Sequence, residues 1–247
     1  MKKLIFLMAC LFAMTSVMPV QAKKEKKEKK AFEWKMPELS GNADFDKYLL
    51  TCDTLYNRIN TYRDSVVFYH VVKYPEVDAL GDTIYQLKVQ DQYGNYRGTG
   101  LAAMQYANLA LQGTSLLADL VSITAETASA TATLPSLGLK ALSYGKYVKA
   151  GPKIVSMGTS EIKAIMDSVK IQRKQIRAVR QYYKLIEDKE NPNAKADAKK
   201  ILEVQLENVP EVALTEDEKK KAAEQEAADN ALAKNSGYNP DDEVDLD

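Results

Sequence analysis

Residues 98–139 hold two charged side chains, Asp119 and Glu126, in 42 consecutive positions. A run so poor in charge folds only if most of its surface is covered. Its bulk comes from Leu101, Met104, Leu109, Leu116, Leu117, Leu120, Val121 and Ile123, with Ala, Ser, Thr and Gly between them. Small residues let helix backbones approach closely, so the segment reads as helices packed against other helices. Gly113 is expected to break or weaken the first, and Pro135 with Gly138 to end the second. The first 21 residues of the segment, 98–118, carry no charge and are long enough in principle to cross a bilayer. Gln105, Asn108 and Gln112, with Gly98, Thr99, Gly100, Gly113 and Thr114, match lipid poorly and suit a helix–helix seam better. The buried reading is preferred.

The flanking sequence supplies partners for such helices. Phe45, Leu49, Cys52, Tyr56 and Ile59 recur at gaps of three and four over 43–62, one helical face, with Asn42 or Asp44 as its cap. Residues 65–74 are rich in β-branched and aromatic side chains and stop at Pro75, a strand covered on both faces. His70 shares a face there with Val66, Phe68 and Val72 and is expected to be a satisfied core histidine. Over 83–90, Tyr85, Leu87 and Val89 alternate with Gln86, Lys88 and Gln90, a strand with one packed face. The turn at 92–95 leads to a short return at Tyr96 and Arg97. So small a sheet needs a helical layer. Gly138, Gly145, Gly151 and Gly158 with Pro152 read as a punctuated connection. A long helix follows at 160–188, striped by Ile162, Met166, Val169, Ile176, Val179, Tyr183 and Ile186 and interrupted by Gln172 and Arg173. Its basic face, Lys170, Arg173, Lys174, Arg177, Arg180 and Lys184, is expected to be solvated. Another helix fits 194–208, with Ile201, Leu202, Val204 and Leu206. Thr215 and Glu218 form a capping box for a last helix, to about Lys234, that has little apolar bulk and reads as a frayed or solvent-exposed rod.

The N-terminus has a secretory pattern. Lys2 and Lys3 precede an apolar run over 4–20, and Val20, Gln21 and Ala22 form a cleavage site. Cys10 reads as a core residue of that segment rather than a lipidation site. Cleavage near Ala22 removes two of the 34 basic residues and none of the 34 acidic ones, leaving a slightly acidic chain. Cys52 is then the one cysteine, a buried apolar residue with no disulfide partner. The KKEKKEKK block at 23–30 is a solvated tether, and Trp34 is the residue that docks it.

The fold class expected is α+β, predominantly helical, with antiparallel helices packed on a small antiparallel β-hairpin. Its parts are a signal peptide (1–22), a charged arm (23–39), a mainly helical α+β domain (40–190), appended charged helices (191–234) and an acidic disordered tail (235–247). A single histidine and a single remaining thiol give no multi-histidine zinc site. Gly98, Gly100 and Ala103 match the G-x-G-x-x-A fingerprint after a strand-like stretch. A dinucleotide site would also need a βαβ unit, and no strand pattern lies beside Asp119, the acid at the right offset. No catalytic, cofactor-binding or metal-ligating residue is assigned, and no cofactor. The expected function is a non-enzymatic scaffold or protein-interaction role in the periplasm or cell envelope of a bacterium. Its partner would be another envelope protein or a second copy, with peripheral membrane contact as a further class and nucleic acid excluded by charge. The alternatives are a membrane-perturbing protein acting through 98–139 and a cell-wall or glycan hydrolase using dispersed carboxylates.

Overall fold

The structure, a computed structural model, describes residues 32–77, 81, 83–188 and 190–239. The secretory segment, the lysine block 23–30 and the acidic residues 240–247 lie outside those residues. The body that begins at Trp34 is predominantly helical with a small antiparallel sheet. In chain order it contains α1 (Ala43–Ser65), β1 (Tyr69–Val77), β2 (Thr83–Asp91), β3 (Tyr96–Arg97) and α2 (Thr99–Thr133). A 3₁₀ segment (Leu134–Lys140) then leads to α3 (Ala141–Val148), α4 (Ala150–Glu187), α5 (Ala194–Val204) and α6 (Glu216–Asn235).

Three long helices make the core. Asn42 caps α1 by accepting from the Phe45 amide at 3.1 Å. Helices α2 and α4 run antiparallel: Tyr106 bonds Gln172, Gly113 faces Met166, Leu120 faces Gly158 and Thr127 faces Gly151. These α2 positions recur every seventh residue, as do Gly151, Gly158, Ile165 and Gln172 on α4, so one seam stays in register along both helices. Helix α1 lies across the seam, with Tyr48 at Gly151, Ile59 at Gly158 and Tyr62 at Gly113. At each of these glycines an added Cβ would fall 2.5–2.7 Å from the α1 side chain. The glycines are the holes into which α1 fits.

Two sequence expectations fail for that reason. Gly113 does not break a helix; α2 is continuous over 35 residues, because the contact with Tyr62 offsets the helix penalty of glycine. The long helix starts at Ala150 rather than at residue 160. Pro152 sits in its first turn, where the missing N–H would have had no acceptor, and Gly151 and Gly158 are buried under α1. Pro135 and Gly138 do end α2, with Gly138 at φ 58° turning the chain.

The sheet has strand order β1-β2-β3, all antiparallel, with Tyr69 opposite Asp91 and Val77 opposite Thr83. It packs on the bundle through Tyr69, whose ring meets Tyr106 edge-on at 5.1 Å. Strand β1 runs through Pro75, which the sequence had taken as its stop; an edge strand tolerates a missing donor. Its outer side pairs instead at Lys73, whose amide donates to the Pro210 carbonyl and whose carbonyl accepts from Val212. His70 is exposed and faces Gln90 at 3.2 Å, so it is not the core histidine expected. Helix α6 meets the sheet further along, at Tyr74, Glu76 and Lys88, and runs on from there to Gly98 and Gly100 at the start of α2.

The glycine holes give a paired prediction. Gly151→Ala places a Cβ against the Tyr48 hydroxyl and Thr127 Oγ1, whereas Gly145→Ala on α3 meets only Leu134 Cδ2 at 3.9 Å. Denaturant unfolding should show the first losing about 2 kcal/mol through overpacking. The second should gain about 1 kcal/mol from helix propensity.

Candidate functional site

The sequence fingerprint at Gly98 and Gly100 lies where a phosphate loop would put it, after β3 and at the N-terminus of α2. The first-turn amides of a helix attract an anion because they lack acceptors and carry the positive end of its dipole. Here the chain supplies its own. The Gly98 amide donates to Asp229 Oδ2 and the Gly100 amide to Asn230 Oδ1, each at 2.9 Å. Both acceptors come from α6, and Asp229 is 5% exposed, with Gln225 holding its second oxygen. A Cβ at Gly98 would lie 2.7 Å from Asp229 Cβ and 2.9 Å from the Glu226 carbonyl oxygen, so only glycine admits α6 this closely. Helix α6 is therefore docked, not the exposed rod expected; alanines 222 and 233 are buried and Lys88 pairs with Glu226 at 2.5 Å. An open cleft of about 550 Å³ adjoins this cap, with Thr99, Arg180, Asn230, Lys234, Tyr238 and Asn239 among its lining residues. The amide of Gly100, which also lines it, is already bonded to Asn230.

Other buried polar groups also serve the fold. Asp91 accepts from the Tyr93 and Asn95 amides, the Asn95 side chain and Arg97 Nε. Burial alone would raise its carboxyl pKa, but these bonds together outweigh that and hold it below the usual range. Gln172, the polar break in the α4 stripe, bonds the Tyr106 hydroxyl and the Tyr69 amide at the junction of bundle and sheet. Where β3 ends, Tyr183 replaces a strand neighbour: its hydroxyl accepts from the Leu87 amide and donates to the Leu87 carbonyl, both at 2.8 Å. Tyr182 donates to the Tyr85 carbonyl beside it. Desolvation raises the pKa of Tyr106 and Tyr183, so both hydroxyls stay neutral.

The residues singled out by sequence are scattered. Cys52 is fully buried on α1, and desolvation pushes its thiol up to about 11, which leaves almost no thiolate at neutral pH. Trp34 docks as expected, its Nε1 donating to Asp53 Oδ1 at 2.9 Å and its ring edge-on to Tyr147. Asp119 pairs with Arg58 at 2.7 Å on the surface. Of the basic face on α4, Lys170, Lys174 and Lys184 are exposed, while Arg173, Arg177 and Arg180 are half-covered. The structure thus gathers none of these residues into one constellation. No family model, curated protein or solved structure matches the chain.

Sequence reasoning missed Asp229 and Asn230, because one acid among the six of an alanine-rich helix carries no local mark. The available signal was the Gly98–Gly100 pair, which needs an anion from somewhere. Asp229→Ala should cost about 2 kcal/mol as a lost helix cap. Hydrogen exchange should show the first-turn amides of α2 losing protection. Lys220→Ala, on the exposed side of α6, should change neither.

Proposed function

We propose that the protein is a non-enzymatic scaffold of a bacterial envelope, exported by its N-terminal segment, that binds another protein or a second copy of itself. One observation carries the reading. Helices α2 and α4 form a hairpin some 50 Å long, at a rise of about 1.5 Å per residue, and large apolar side chains stand on its outer surface. Leu111 and Val121 of α2 are 65% and 72% exposed and Ile171 of α4 is 64% exposed, while the faces of both helices turned inward are closed by the glycine seam. A rigid rod of this kind positions a partner along its length.

The polar inventory supports the same reading over a hydrolase. Asp91 and Asp229, the carboxylate residues buried in the described body, each accept from backbone amides and so serve the fold. The two carboxylate oxygens buried without a hydrogen-bond partner, Glu126 Oε2 and Glu161 Oε2, stand on different helices. Among the described residues no helix is long and apolar enough to cross a membrane, and α2 has its place in the bundle.

Cross-linking in the native envelope, followed by identification of what is attached, tests the proposal. The expected result is a discrete adduct that weakens severalfold when Leu111 and Val121 are both changed to lysine. A chain that stays alone and monomeric in the envelope would remove the scaffold reading.

A further inference from the structure

The two most exposed large apolar side chains among the described residues are Leu139 and Leu142, at 95% and 92%. They stand at the turn that joins α2 to α4, on either side of Lys140. Helix α3 tucks Tyr144 and Val148 inward, and Tyr144 is held by a hydrogen bond to the Glu38 carbonyl. That orientation turns the opposite side of α3 outward. Leu139, Leu142, Lys146, Lys149 and Lys153 follow one another at gaps of three and four, all exposed: two leucines at the tip, then three lysines behind them. Between Glu126 and Glu161 the chain has four charged residues, Lys140, Lys146, Lys149 and Lys153, and no acid. Asp46 of α1 approaches Lys140, but its carboxylate is taken up by the Ser40 hydroxyl and the Ser40 and Gly41 amides.

We infer that this turn is a docking tip for a lipid surface bearing anionic headgroups, with Leu139 and Leu142 entering the headgroup–acyl boundary and the lysines meeting the charge. Two leucines on a convex turn displace little area. A protein partner would need roughly 800 Å² of matching surface to hold them, whereas a bilayer takes up a small apolar wedge and rewards each nearby lysine separately. The site is peripheral: it needs no spanning helix, and it is independent of the outer helix faces used in the scaffold reading.

Sedimentation of the full chain with vesicles tests it, using phosphatidylcholine alone and phosphatidylcholine containing about a third phosphatidylglycerol. Because every variant keeps the same N-terminal segment, differences report the tip. The full chain should prefer the anionic vesicles, and Leu139→Asp with Leu142→Asp should weaken that binding at least about tenfold. Lys146→Glu with Lys149→Glu should abolish the preference for anionic lipid. Unchanged thermal melts are expected, since all four side chains are exposed. Leu111→Lys with Val121→Lys should leave vesicle binding intact, which separates this outcome from failure of the scaffold proposal. Equal binding by the full chain and both tip variants, or equal binding to the two vesicle types, overturns the inference. So does tip-dependent cross-linking to an acidic protein by a chain that ignores vesicles.

Discussion

Gly151 and Gly158 leave α4 without side chains at the two places where Tyr48 and Ile59 of α1 enter, and Gly113 does the same on α2 for Tyr62. The close approach of α1 to the hairpin depends on these omissions. Backbones that come this near exclude water from the seam and let one helix make contact with two others at once. Tyr48 shows the economy of the arrangement. Its hydroxyl donates toward the Val148 carbonyl at 3.0 Å and accepts from the Gly151 amide, so the same side chain fills the hole and caps the junction of α3 and α4. Tyr62 is the counterexample, buried with a hydroxyl that finds no hydrogen-bond partner, and desolvation pushes it up to about 12.

The rest of the body adds its own buried apolar side chains, Val71, Leu87, Val89 and Leu206 among them, and is tied to this bundle by a few polar contacts. Asp229 joins α6 to the start of α2, Gln172 and Tyr106 join the hairpin to β1, and Tyr182 with Tyr183 closes the side of β2 that β3 leaves open. Residues 210 and 212 cover the other edge of the sheet at Lys73. The β1 edge at Lys73 and the side of β2 beyond β3 are thereby occupied where they would otherwise recruit strands from other chains. Apolar side chains stand exposed on the outside of the long helices and at the turn between them, and these are the surfaces assigned to partners.

Much of the fold was legible because periodicity reports burial. The face of α1, the alternation of Leu87 and Val89 in β2, the turn before Tyr96 and the capping box at Thr215 are all present in the structure. The failures share a cause: Gly113, Gly151, Pro152 and Pro75 carry local penalties that tertiary contacts or position in an element cancel. Local rules weigh the penalty and cannot see the contact. His70 shows the converse, since the strand pattern gave its apolar neighbours but not that its own side chain would lie exposed against Gln90. The candidate surfaces were less legible still. Leu139 and Leu142 are unremarkable in an apolar segment until the fold turns them outward, and Asp229 gains meaning only once Gly98 lies beside it.

The central claim is that glycine on α4 is required because α1 occupies its place. A double-mutant cycle on Gly158 and Ile59 measures this directly, since an added Cβ at Gly158 would lie 2.6 Å from Ile59 Cδ1. Ile59→Val removes that methyl group. If the side chain fills the hole, Gly158→Ala will be less harmful in the Ile59→Val background, with a coupling energy of about 1–2 kcal/mol. Additive losses would contradict the account.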